Sequence, residues 1–274
     1  MTKEEFEARH PYPIHTGITR LYKFFKYDDG HLDRLEDIFV NRRLYHSKPA
    51  EFNDPWEARP WVRFPETRKE LSVFRNRMIR GVRREHGFSK REAGKSVSEA
   101  LADKDEFVRN WLNATGQTFG NTLICSLSAN NSNILLWSHY SDSHRGFCIG
   151  FDTSKLPFHL ALQVRYQDTY PTVSYPMDQY EALSVLATKS SHWEYEQEYR
   201  VVHVTTSRTP PGRFDGQFAV LPDDAIAEVN YGAKMPEEHR QSIRDMVDRG
   251  PFRPKHVEAV ISPSSFSLSF EPVV

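Results

Sequence analysis

Apolar positions follow two rhythms along this chain, and each change of rhythm marks an element. Residues 21–25 are apolar and aromatic and read as a strand. Leu32, Leu35, Ile38 and Phe39 then recur at helical spacing, with Asp33, Arg34, Glu36 and Asp37 turned to water. Residues 43–47 read as the next strand, so the chain opens strand, helix, strand. Residues 122–127 and 146–151 are short apolar runs that read as two buried strands. Between them Asn130, Asn131 and Ser132 offer cap chemistry for a helix over about residues 133–140.

The later part of the chain repeats these rhythms. Residues 164–166 read as a strand, 166–178 as a Tyr- and Pro-rich loop, and 180–187 as a helix. Residues 193–202 are taken as one strand, and 225–230 as another that ends at Gly232. Residues 236–248 form an amphipathic helix on Ile243, Met246 and Val247, stopped by Gly250 and Pro251. Alternation at Val257, Ala259 and Ile261, and at Phe266, Leu268 and Phe270, gives two closing strands. Residues 1–18, with Pro11 and Pro13, read as a loosely tied lead-in.

One stretch departs from this pattern. From about 65 to 116 the chain is charged, poor in β-branched residues and helical in period, with Phe107, Val108, Trp111 and Leu112 as a buried side. Between residues 68 and 95 there are ten Lys or Arg against three Glu. Arg75, Arg77, Arg80, Arg83 and Arg84 are the densest group, and at about 100° per residue they fan over roughly 200° of a helix. Such a run is ordinarily a solvated face; its functional reading is a surface for a protein or nucleic-acid acceptor. The expected architecture is α+β, a single domain over residues 1–274. Its core is a mixed, mostly antiparallel sheet, and a basic helical insertion lies at about 65–116.

Composition narrows the function classes. Lys plus Arg number 36 against 37 Asp plus Glu, so no global basic footprint for nucleic acid exists. Cys125 and Cys148 both fall in apolar strand patterns and read as buried reduced thiols. The N-terminus is charged, and no run approaches the ~18 apolar residues of a membrane span. A cytoplasmic location is expected.

Chemistry concentrates in three places. Asn53 and Asp54, in Phe52-Asn53-Asp54-Pro55-Trp56-Glu57, can present an amide and a carboxylate from a loop braced by Phe52, Pro55 and Trp56. Trp137, His139 and Tyr140 carry aromatic bodies with polar tips and can floor a polar pocket or simply a satisfied core corner. In the presumed 193–202 strand, Glu194, Glu196, Glu198 and Arg200 share one face at about 6.5–7 Å spacing. Such a row is either a wet face with weak ion pairs or the wall of a cleft in which neighbours split the carboxylate pKa values. The spacing alone leaves both open. No His–Glu–His or Cys-pair metal signature occurs, and neither a Gly-rich phosphate loop nor a GxSxG elbow is present.

Taken together, Leu21-Tyr22-Lys23-Phe24, Phe52-Asn53-Asp54-Pro55-Trp56-Glu57, Cys125-Ser126-Leu127-Ser128, Leu136-Trp137-Ser138-His139-Tyr140, Gly146-Phe147 and Trp193 with Glu196, Glu198 and Arg200 resemble a bacterial family. That family is catalogued as domain of unknown function 2971. The resemblance implies a part in bacterial defence (phage defence) or toxin-type systems. More distantly, the order of elements is similar to ADP-ribosyltransferase folds. That likeness implies NAD as substrate, held by Tyr22 or Lys23 and by Ser126 or Ser128, with Glu198 at the nicotinamide ribose and Glu196 orienting the acceptor. The usual early Arg is missing from its place, and Ser-Leu-Ser stands where Ser-Thr-Ser is usual. Catalytic candidates are therefore Glu198, Glu196 and Arg200. Candidates for holding NAD are Tyr22, Lys23, Asn53, Asp54, Ser126, Ser128, Trp137, His139 and Tyr140, and no metal is expected. The alternatives are a non-enzymatic recognition or sensor module and an enzyme acting on nucleic acid.

Overall fold

The computed structural model describes residues 1–173, 177–205 and 214–273, apart from the side chain of residue 118. An eight-stranded sheet runs through the protein in the order Leu268–Pro272, Lys255–Ile261, Ile226–Tyr231, Phe147–Asp152, Arg20–Phe25, Thr122–Ser128, Glu198–Val204, Leu162–Gln163. Within this sheet only the Ile226–Tyr231 and Lys255–Ile261 pair is parallel. With its flanking helices the fold is α+β, as the pattern predicts.

Alternation gives the sheet two different faces. Leu21, Cys125, Leu127, Phe147, Ile149, Phe151, Tyr199, Val201, Val229 and Tyr231 are buried together in the main core. Helices Leu32–Phe39 and Glu237–Arg249 cover it through Leu35, Ile38, Phe39, Ile243, Met246 and Val247. The residues between these point to the other face, where the central strands carry Tyr22, Ser126, Ser128, Glu198 and Arg200. Register lines them up: Tyr22 and Glu198 both pair with Ser128, and Arg200 pairs with Ser126. One side of the sheet is thus a hydrophobic core and the other carries a polar row. Gly150 belongs to that row, because a Cβ there would meet Glu228 Cγ at 2.6 Å and the Tyr22 ring at 3.0 Å.

The helical insertion packs on this second face. Helices Arg68–His86, Lys90–Ala100 and Lys104–Gly120 bury Phe74, Met78, Val97, Phe107 and Trp111 against Ile124 of the sheet. Thr67 with Glu70, and Ser89 with Glu92, form reciprocal caps that satisfy orphan backbone donors at two of the helix starts. Arg75, Arg80, Arg83 and Arg84 are exposed, and Arg77 lies 3.7 Å from Glu181. Leu112 departs from expectation at 43% exposure, since it lies about 100° round the helix from Trp111, which takes the buried place.

Other readings are also corrected. The lead-in is not loose: Lys3–Arg9 is a helix capped by Thr2, Phe6 and His10 are buried, and the terminal amine pairs with Asp178 at 2.9 Å. Phe266 is exposed and lies outside the last strand, Leu268–Pro272. The expected 166–178 loop includes the end of strand Arg165–Gln167 and the strand Thr172–Val173, and its residues 174–176 lie outside the described residues. Both cysteines are buried and free.

Trp137 anchors the short helix Ile134–Tyr140 under the sheet. It is fully buried, donates from Nε1 to the Asn131 carbonyl at 2.6 Å, and meets the Phe24 ring edge-on at 5.2 Å. Trp137→Ala is expected to cost about 3–5 kcal/mol, measured by urea unfolding. A soluble variant with an unchanged midpoint would show that the indole anchors nothing.

Candidate active site

A closed charge cluster sits on the polar face. It joins Glu57 from the loop after Trp56, Lys189 from strand Thr188–Ser190, Glu196 from a 3-10 turn, and Glu198 and Arg200 from the central strand. Lys189 Nζ reaches Glu196 at 2.6 Å, Glu198 at 3.1 Å and Glu57 at 3.3 Å. Arg200 donates from Nε to Glu198 Oε1 at 2.8 Å, from Nη1 to the Leu186 carbonyl at 2.7 Å, and from Nη2 to Glu57 and Glu198. All five side chains are nearly inaccessible to water, at 1–6% exposure. Three carboxylates against two cations leave one surplus negative charge in a dry place, where each interaction is stronger than on a surface.

The presumed single strand over 193–202 is corrected by the backbone. Ser191–Glu196 is a 3-10 turn that ends at Gln197 in the left-handed region, φ 47°, and the strand begins only at Glu198. Glu194 therefore leaves the row and is exposed. Glu196 still reaches the cluster, because Ser128 Oγ donates to its carbonyl at 2.6 Å and Tyr140 Oη to its Oε1 at 2.8 Å. Tyr166 Oη accepts from the Glu198 amide at 2.8 Å and fixes the start of the strand.

This arrangement drives the two strand-end carboxylates apart. Burial alone pushes the Glu198 carboxyl up, but Arg200, Lys189 and the Arg200 and Ser126 hydrogen bonds together hold it down at about 2. Glu196 moves the other way: burial raises it, assisted by the neighbouring Glu198 charge, and Lys189 only partly offsets this. Lys189 loses ground to burial and regains more from Glu198, Glu57 and Glu196, so its ammonium is held above its ordinary value. A carboxylate held down beside one that is raised is the pattern that acid/base pairs use.

Two cavities meet at this cluster. A small one of about 150 Å³ is lined by Tyr22, Lys23, Asn53, Ser126, Ser128, Tyr140, Lys189, Glu196 and Glu198, among others. A cleft of about 980 Å³ lies between the 53–61 loop and the 167–172 and 188–193 segments. Asn53, Glu57 and Lys189 line both. Lys23 closes one side of the small cavity, with Nζ 3.3 Å from the Ser126 carbonyl.

The structure brings Tyr22, Lys23, Asn53, Ser126, Ser128, Tyr140, Glu196 and Glu198 together around one cavity. It keeps the other candidates apart. Arg200 is fully buried behind Glu198 and lines neither cavity, so it positions Glu198 and does not touch a ligand there. Asp54 lines the larger cleft and accepts from the Trp56 amide at 2.8 Å. Trp137 is core, and His139 on the outer side of its short helix is exposed; neither lines either of these two cavities. Trp56 does not brace its loop, being 64% exposed; Phe52, under the Arg200 guanidinium, and Glu57 hold it instead. Lys189 and Glu57 lie inside or beside the motifs but are not among the candidates named from sequence, and the structure adds both to the site. Among the described residues, no group of three or more His, Cys, Asp or Glu is placed to hold a metal ion, and no helix is long and apolar enough to cross a membrane.

An α+β protein with a five-residue charge cluster between two cavities is what the fold and site define. Residues 136–201 match the model of a family described as protein of unknown function (DUF2971), the family that the sequence motifs resemble. The matched segment holds Tyr140, Lys189, Glu196, Glu198 and Arg200. No curated protein and no solved structure matches the chain.

Buried titratable groups also set the acid stability. Burial lowers His10 to about 4 and His46 to about 3, so both are neutral in the fold. A folded pKa below the ordinary value of 6.5 gives stability that is complete above that pH and lost as pH falls toward 4 and 3. Glu198 acts likewise from about 4.5 down to 2, whereas Glu196, raised, contributes in the opposite sense. The urea midpoint should therefore decline continuously below pH 6.5, and a flat profile from pH 7 to 4 would contradict these assignments.

Proposed function

We propose that this protein is an NAD-consuming enzyme of the ADP-ribosyltransferase type. The observation that carries this reading is convergence. Tyr22, Lys23, Asn53, Ser126, Tyr140, Glu196 and Glu198 come from separate stretches of chain and line one cavity beside a cleft of about 980 Å³. That volume is at the upper end of the range for small-molecule and cofactor sites. A lysine on one side and a surplus carboxylate charge on the other suit a ligand that carries both phosphate and a cationic ring.

In this reading the C1′–N bond of the nicotinamide ribose breaks, and the bonding pair leaves with neutral nicotinamide. Glu198, kept ionised by Arg200 and Lys189, faces the oxocarbenium charge that develops at C1′. Glu196, raised in pKa and held by Tyr140, orients the acceptor and takes its proton as the new bond to C1′ forms. Ser126 and Arg200 hold Glu198 in place. The exposed arginines of helix Arg68–His86 are proposed to receive an anionic acceptor, protein or nucleic acid, in a bacterial defence or toxin-type setting.

Complete burial of Glu198 and Arg200 also favours a second reading, a recognition module in which the cluster only braces the cleft. Incubation with nicotinamide-labelled NAD and a cell lysate separates the two. Release of nicotinamide by the wild type supports the enzyme, whereas thermal protection by NAD without any release supports the module.

A further inference from the structure

The larger cleft holds a feature that the reaction above does not use. Of the tryptophans in this chain, Trp137 and Trp111 are buried at 0% and 7% exposure, yet Trp56 and Trp61 stand 64% and 62% exposed, five residues apart, along one cleft. The backbone that carries them is fixed. Asp54 Oδ1 accepts from the Trp56 amide at 2.8 Å, and Glu57 is locked into the charge cluster. The Trp61 amide donates to the Pro171 carbonyl at 2.9 Å, within a short parallel ladder to Thr172. Between them Ala58 takes a left-handed conformation, φ 56°, which costs energy for a residue with a Cβ and persists only where surrounding contacts impose it.

Arg59 lies on the same segment, lines the cleft, and is exposed. Among the described residues it has no carboxylate or hydrogen-bond partner, whereas Lys189 is saturated by three carboxylates. We infer that the 53–61 segment is a nucleotide-binding platform: the base stacks on Trp56 or Trp61, and a phosphate pairs with Arg59. Exposed indoles on a backbone held by these bonds give planar rings a stacking surface. A free guanidinium beside them supplies the fork that phosphate oxygens match. The far wall offers Gln167, Thr169, Ser190 and His192 to a base edge or a ribose.

This inference rests on the cleft and not on the transfer reaction. Tryptophan fluorescence titrations and calorimetry with AMP, adenosine and ribose 5-phosphate test it. AMP is expected to bind, quench and saturate, and ribose 5-phosphate to bind far more weakly. Trp56→Ala or Trp61→Ala should weaken AMP binding roughly tenfold, with the melting temperature unchanged because both rings are exposed. Arg59→Ala should weaken AMP binding and leave adenosine binding alone. Absence of AMP binding, or binding indifferent to both tryptophans, overturns the platform; equal loss of AMP and adenosine in Arg59→Ala overturns the phosphate assignment. AMP binding by a protein that releases no nicotinamide from NAD would end the transferase reading and leave the platform standing. Nicotinamide release without AMP binding would do the reverse.

Discussion

Lys189→Met is expected to be among the most damaging single substitutions in this protein, at about 3–5 kcal/mol of stability. The methionine keeps most of the stem volume, so loss of packing is small. What disappears is the ammonium that Glu57, Glu196 and Glu198 share at 2.6–3.3 Å. Three buried carboxylates would then face Arg200 alone. Against a typical total of about 5–15 kcal/mol, this is a large share of the fold's stability, and a fall in melting temperature on the order of 10 °C follows. The effect should also depend on pH. Without the ammonium the carboxylates bind protons more readily in the folded state, so the deficit relative to wild type shrinks as pH falls from 7 to 5. A deficit of the same size at both pH values would mean that the stem matters and the charge does not. An unchanged melting temperature would mean the cluster is not closed as described.

Under the proposed transferase reaction, Glu198→Gln is expected to abolish most NAD turnover, with release of nicotinamide falling about 10²–10³-fold. Glutamine keeps the size and one acceptor oxygen but removes the fixed charge that the oxocarbenium would face. Glu198 is not a free carboxylate on a cavity wall, however. It accepts two hydrogen bonds from Arg200 and one from Lys189, so this substitution also lowers stability, by about 1.5–3 kcal/mol for each charged hydrogen bond weakened. Turnover must therefore be compared well below the variant's melting temperature. Tyr140→Phe is the matched control on the other carboxylate. It frees Glu196 Oε1, leaves Glu198 paired, and should lower turnover less. Full turnover in a folded Glu198→Gln protein would leave the cluster a structural brace.

How much of this could be read in the sequence depends on the range of the interaction that decides each feature. The opening strand, its helix, the strands near residues 122–128 and 146–152 and the helix near 134–140 all follow from local period, and the structure has them, although Asn133 caps the last of these and not Asn130, Asn131 or Ser132. The composition change near residue 65 marks a helical segment for the same reason, and the structure divides it into three helices. The alternation of Glu198 and Arg200 with Tyr199 and Val201 likewise puts charge on one side and core on the other.

Reading that alternation back to Trp193 failed, because a left-handed Gln197 and a 3-10 turn are set by the Ser128 and Tyr140 bonds to Glu196. No local period contains those partners. Lys189 sits in a short Thr-Lys-Ser strand that resembles any solvent-facing edge, and Glu57 follows an exposed Trp in a loop. Glu57 becomes a buried ion only because Lys189 and Arg200, each more than a hundred residues away, arrive to offset its desolvation, and Lys189 is balanced by that distant carboxylate together with the nearby Glu196 and Glu198. Trp56 shows the opposite case, a large apolar ring that composition would bury and that a loop pinned by Asp54 and Glu57 holds in water. Sequence by itself determined most of the elements, the two faces of the central strand and the motif that holds Glu196, Glu198 and Arg200. Tertiary structure alone decided which charges meet and which aromatics stay exposed, because the cost of burying an ion, unlike a period of 2 or 3.6, depends on what the rest of the chain brings to it.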